Sequence, residues 1–164
     1  TKNIAMQYNG ISGLNAGGSF TFNDAPINGD KDNNVAWNLF EVHGQYNANN
    51  VIGTFEFGQV KFTHNAPDGT DPADILTDQV ASGYYMHLGY NVASLIGWED
   101  CKLVPWFGMG MYDLNTDVDG KVKNTLVGLT WWPIDKISWK IDYDMKNDND
   151  SKTNTLSLGV GYMF

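Results

Sequence analysis

Apolar and polar residues alternate one by one along most of the chain, and the last segment does so without a break. Leu156, Leu158, Val160, Tyr162 and Phe164 take every second position, and Thr155, Ser157, Gly159, Gly161 and Met163 take the others. Ile137, Trp139, Ile141, Tyr143 and Met145 alternate with Ser138, Lys140, Asp142 and Asp144; Tyr84, Met86, Leu88, Tyr90 and Val92 with Tyr85, His87, Gly89 and Asn91. Thr125, Val127, Leu129 and Trp131 alternate with Asn124, Leu126, Gly128 and Thr130. Successive side chains of an extended strand point to opposite sides, so each segment predicts a strand with one apolar face and one polar or small face. Weaker runs over 13–23 (Leu14, Phe20, Phe22), 35–46 (Phe40, Val42, Tyr46), 51–62 (Phe55, Phe57) and 102–112 (Leu103, Phe107, Met109, Met111) complete eight strands. Ile4, Met6 and Tyr8 mark a candidate ninth. The phase slips at Leu39–Phe40, which predicts a bulge there.

The connections alternate in character. Asn9–Gly13, Asn47–Asn50, Ala93–Cys101 and Pro133–Lys136 are short, whereas Asp24–Asn34, Thr63–Val80, Asn115–Gly120 and Lys146–Asn154 are longer and rich in Asp, Asn and Gly. Short turns at one end, longer polar loops at the other, and strands long enough to cross a bilayer at a tilt predict a transmembrane antiparallel up-and-down β-barrel of at least eight strands. Residues 1–164 form one domain, with 1–12 either a strand or a periplasmic lead-in. Within the 63–80 segment, Asp71, Pro72, Ile75, Leu76 and Val80 have the capping and spacing of a short helix. No window is apolar for long enough to be a membrane-spanning helix, a test that does not see β-barrels.

The same alternation would suit a soluble barrel with its apolar face inward. Composition decides between the two. The minor face is rich in small residues (Gly17, Ser19, Gly89, Gly108, Gly110, Gly128, Ser157, Gly159, Gly161), where a soluble exterior would carry lysine and glutamate. Tyr46, Trp98, Trp131, Trp132, Trp139, Tyr162 and Phe164 gather near the short-turn ends, as an aromatic girdle at headgroup level would. The mean hydropathy of −0.34 is compatible with this, since loops and lumen are polar. The net charge is −9 and all ten basic residues are lysine, which argues against nucleic-acid binding. One cysteine, Cys101, leaves no internal disulfide and no cysteine-built zinc site. The chain begins at Thr1 without a basic-then-apolar leader, so an export signal is expected to have been removed, or the sequence to start inside a longer protein.

The ending Ser157-Leu-Gly159-Val-Gly-Tyr162-Met-Phe164 resembles the C-terminal assembly signal of bacterial outer-membrane β-barrels. Leu126-Val-Gly-Leu-Thr-Trp-Trp-Pro-Ile-Asp-Lys-Ile-Ser-Trp-Lys-Ile-Asp-Tyr143 is similar to the penultimate hairpin of general and phosphate-type porins. The resemblance is specific only toward the C-terminus and architectural elsewhere. It implies export to the outer membrane of a Gram-negative bacterium, insertion into its lipid by the assembly machinery, a diffusion channel for small hydrophilic solutes or ions, and room for a homotrimer. Two departures stand beside it. Such porins have 16 or 18 strands, and no arginine is present to build the cationic ladder of anion-selective members. A ninth strand would make the count odd, as in the C-terminal portion of a larger porin.

The strand faces send Glu41, His43 and Gln45, then Glu56, then Tyr85 and His87, then Lys140, Asp142 and Asp144 into the lumen. Four acids against one lysine predict a preference for cations. The alternative is a small closed eight-stranded barrel, its interior filled by mutually paired side chains and its acidic loops serving a structural or adhesive role. Asn115-x-Asp117-x-Asp119-Gly120 has the start of a calcium loop, but Leu126 stands where the bidentate acid belongs. Asp68, Asp71, Asp74 and Asp78 read as a solvated acidic loop. His43, His64 and His87 lack metal-ligand spacing, and no nucleophile–base set is local to any segment, although His87 could meet Asp142 or Ser157 across strands. No catalysis, metal or cofactor is expected.

Overall fold

Residues directly opposite each other on paired strands share a face of the sheet, so strand register turns the alternation into an architecture. In the computed structural model, which describes residues 1–27, 30–65, 79–116, 120–148 and 151–164, nine strands pair antiparallel with their sequence neighbours in a single sheet. They are β1 (Lys2–Tyr8), β2 (Leu14–Ile27), β3 (Asp30–Ala48), β4 (Val51–Asn65), β5 (Gln79–Tyr90), β6 (Lys102–Asp113), β7 (Val122–Ile134), β8 (Ile137–Asp148) and β9 (Ser151–Tyr162). One 3-10 turn, Ala93–Ile96, is the helical element among the described residues, and it is too short to cross a membrane.

The register carries the apolar half of every strand onto one face. Ile4 lies opposite Phe20 and Phe20 opposite Phe40. Farther along, Phe55 faces Met86, Leu88 faces Phe107, Phe107 faces Val127, Val127 faces Tyr143 and Tyr143 faces Leu156. Nothing among the described residues covers this face. Leu88 is 56% exposed and Leu158 77%, while the buried hydrophobic residues among those described are Ala93, Val104 and Val122. A sheet normally buries its apolar face against a second layer. Here that layer is absent from the described residues.

The expected closure is also absent. β1 and β9 are the two edges of an open sheet, and no pairing joins them among the described residues. The count explains part of this. With nine strands, each antiparallel to the next, β1 and β9 run in the same direction, so joining them would require a parallel seam in an otherwise antiparallel sheet.

Three expectations about connections and register change. Residues 24–27, 30–34, 146–148 and 151–154 are strand, not loop, because the β2–β3 and β8–β9 ladders continue past the apolar band, pairing Asp24 with Ala36 and Lys146 with Thr153. β4 runs on to Asn65 and β5 starts at Gln79, so Val80, expected on the apolar side of a short helix, is strand and pairs with Lys61; the rest of that helix and the acids Asp68, Asp71, Asp74 and Asp78 lie outside the described residues, as do Asp117 and Asp119. Finally, β3 has no bulge at Leu39–Phe40. Pairing runs unbroken through both residues on both sides. The slip in the pattern comes instead from Val35, Trp37 and Leu39, apolar residues on the polar face, with Trp37 opposite Phe62 and Leu39 opposite Val60. The register shifts that do occur lie between Pro26 and Ile27 and between Trp131 and Ile134, beside prolines that have no N–H to give the ladder.

The short turns are locally determined. Asn49 and Asn50 both have positive φ (53° and 64°), the two left-handed residues that a type I′ hairpin between paired Ala48 and Val51 requires. Asn91 holds the β5–β6 connection, accepting at Oδ1 from the backbone N–H of Ala93 (3.2 Å) and of Leu103 (3.0 Å). Asn tolerates the left-handed region far better than a β-branched residue does. Asn50→Val should therefore cost about 1–2 kcal/mol, measured as a lowered urea midpoint of unfolding; an unchanged midpoint would contradict the turn assignment.

Candidate functional site

Polar side chains on the second face form a row that crosses the sheet from β2 to β8. On β3, Glu41 accepts from Ser19 Oγ at 3.2 Å and lies 2.5 Å from His43 Nδ1. His43 is directly opposite Glu56 of β4, and Glu56 Oε2 accepts from the Tyr85 hydroxyl of β5 at 2.9 Å. The Tyr85 ring is 5.9 Å from the His87 ring, and His87 is 5.5 Å from the indole of Trp106 on β6. Lys140 of β8 places its ammonium 4.6 Å from the centre of that indole and 3.2 Å from Asp142 Oδ1. Among the expected inward-facing residues, Glu41, His43, Glu56, Tyr85, His87, Lys140 and Asp142 thus belong to one continuous arrangement.

Asp144 sits at the end of this row and differs from the other three acids. Glu41, Glu56 and Asp142 each have a side-chain partner, whereas Asp144 Oδ1 is buried and has no hydrogen-bond partner among the described residues. His87 does not approach Asp142 or Ser157: Trp106 and Lys140 stand between, and Asp142 is opposite Gly128 and Ser157 in register. His64 contacts Asn33 Oδ1 at 2.9 Å, away from the other two histidines. Among the described residues no group of three or more His, Cys, Asp or Glu could hold a metal ion, and Cys101 is a free thiol.

Trp106 is the member of the row that the sequence pattern passed over. It shares its parity with Gly108 and Gly110, so its face was legible, but the apolar run Leu103, Phe107, Met109 and Met111 drew attention to the other side. Its indole N–H donates to Thr130 Oγ1 at 3.2 Å. Trp132, grouped by sequence with the aromatic girdle, pairs opposite Lys102 and turns to this polar face, where it lines a cavity of about 210 Å³ with Trp106, His87, Thr130 and Lys140. Tyr46, Trp98, Trp131, Trp139 and Tyr162 lie at the short-turn end, Trp98 and Trp139 about half exposed.

The rings of this face lie over glycines of the neighbouring strand. A Cβ added at Gly128 would collide with the Trp106 indole, one at Gly108 with the His87 ring, and one at Gly17 would come within 2.8 Å of His43 Nε2. Each ring is directly opposite its glycine in register. Large side chains therefore rest along the sheet where glycine leaves room, a device that also shields an otherwise bare backbone. The glycines scattered on the minor face have a specific task at these three positions.

Comparison of the chain with protein-family models, curated proteins and solved structures finds no match.

Gly128→Ala should displace the indole, break the Trp106–Thr130 hydrogen bond and destabilise the protein by about 1–3 kcal/mol, the usual cost of overpacking. Gly159→Ala, where nothing lies within 4 Å of the added methyl, should leave stability and near-ultraviolet dichroism unchanged. Equal effects of the two substitutions in unfolding titrations would refute the ring-on-glycine packing.

Proposed function

We propose that this sheet is wall of an outer-membrane β-barrel of the porin type, which lets small hydrophilic solutes or ions diffuse through and prefers cations. The observation that carries the reading is the uncovered apolar face: aromatic and aliphatic side chains from all nine strands point the same way with no layer over them among the described residues. In water such a face would drive aggregation; against hydrocarbon it is the outer surface of a barrel. A closed barrel of paired antiparallel strands is one of the two arrangements a membrane core accepts. The polar face then becomes the lumen, and the resemblance of Ser157, Gly159, Tyr162 and Phe164 to the assembly signal fits the same picture.

Both sheet edges need partners in this reading, because unpaired backbone groups are not tolerated in lipid. The ring-on-glycine packing favours an open passage over the closed eight-stranded barrel, since rings laid along the wall leave the middle of the lumen free. Selectivity follows from the charges on that wall. Lys140 offsets Asp142, while Glu41, Glu56 and Asp144 leave the lumen acidic, and a low-dielectric wall concentrates counter-ions beside such groups.

Planar-bilayer recordings of the purified protein in a potassium chloride gradient test this directly. The expected result is conductance with a reversal potential favouring potassium, reduced in Asp144→Asn. The preference should fade between 0.1 M and 1 M salt as the screening length shortens from about 10 Å to about 3 Å. A chloride-preferring channel would overturn the lumen assignment, and a protein that inserts without conducting would overturn the pore.

A further inference from the structure

Lys140, Asp142 and Trp106 together have the composition of a site that recognises an organic cation: a buried carboxylate beside an indole face, with an ammonium lying against both. The ammonium belongs to the protein itself. Lys140 Nζ is 3.2 Å from Asp142 Oδ1 and 4.6 Å from the indole centre. The two partners of this pair differ in exposure. The Asp142 side chain is 10% exposed, whereas Lys140 is 48% exposed at the end of a flexible stem.

We propose that Asp142 and Trp106 form a binding station for an organic ammonium ion and that Lys140 is its tethered, displaceable occupant. The inference rests on the pore reading only for how a cation reaches the station; the recognition itself is local. A carboxylate this buried is costly to leave without a counter-charge, so Lys140 leaves only when another cation takes its place. A half-exposed lysine gives up little by swinging away into water. Alkylammonium ions have the advantage over sodium, because an indole face attracts a weakly hydrated cation that a carboxylate alone does not distinguish. The cavity of about 210 Å³ bordered by Trp106, Trp132, Thr130 and His87 gives the guest space beside the indole. Gly128 keeps the indole in position, since any side chain there would lift it. Lys102 supplies an internal control: it pairs with Asp135 at 3.3 Å on an exposed turn.

Displacement can be read on the wild-type protein by acetylation with acetic anhydride, followed by peptide mass spectrometry. Tetramethylammonium chloride, which has no N–H to react, should raise the acetylation rate of Lys140 several-fold over sodium chloride at equal ionic strength. The rate at Lys102 should not change. In Lys140→Ala, tetramethylammonium should give a saturable change in tryptophan emission that is lost in the double variant Lys140→Ala, Asp142→Asn. Equal Lys140 rates in the two salts, or a saturable change that survives the loss of Asp142, would overturn the station. The readout needs no conductance: displacement in a protein that does not conduct would uphold the station and refute the pore, whereas a conducting protein without displacement would refute the station alone.

Discussion

One constraint governs this molecule: a nine-stranded sheet whose apolar face has nothing against it among the described residues. Every strand from β1 to β9 contributes, and the buried hydrophobic set is limited to Ala93, Val104 and Val122 among the described residues. A chain of 164 residues with eight Phe, eight Tyr and six Trp has ample material for a core, and the described residues do not use it as one. Stability then depends on what meets that face. In the proposed reading hydrocarbon would satisfy it continuously, and pairing of neighbouring strands removes the backbone polar groups from the problem, except at β1 and β9.

The polar face follows from the same constraint. If one side of the wall is given to lipid, all recognition must be built on the other, from residues of alternate parity. Glu41, His43, Glu56, Tyr85, His87, Trp106, Lys140 and Asp142 come from five strands, yet stand in one row because antiparallel register aligns their parities. Glycine opposite a ring allows that row to be wide without being bulky. Pairing within it leaves Asp144 as the acid whose buried oxygen is uncompensated, which is why the proposed cation preference is assigned most to that residue.

Much of the architecture was legible because period-two alternation survives in a sheet with two distinct environments: eight strands and their apolar faces follow from it, with Lys2–Tyr8 marked only as a candidate ninth. Legibility failed where a residue's character and its side of the sheet part company. Val35, Trp37 and Leu39 are apolar on the polar face, which imitates a bulge in the pattern although the ladder is continuous. Asp24–Ile27 has no alternation and contains a proline, and Lys146–Asp148 is polar on both faces, so neither segment's composition separates strand from loop; only the partner strand does. Parity assigns each member of the row to its face. Which of them touch is decided by how Trp106 leans over Gly128 and His87 over Gly108, a cross-strand fact that no single segment contains. The uncovered face was foreseeable in outline, the open edges only through the odd count that the candidate ninth strand would bring.

The most direct test of the uncovered face is site-directed spin labelling along residues 84–90 on a Cys101→Ser background, with the protein folded into lipid vesicles. Accessibility to dissolved oxygen should peak at 84, 86, 88 and 90, and accessibility to a water-soluble nickel complex at 85, 87 and 89, a strict alternation of period two. If the even positions were instead as open to the nickel complex as the odd ones, the apolar face would not lie against hydrocarbon.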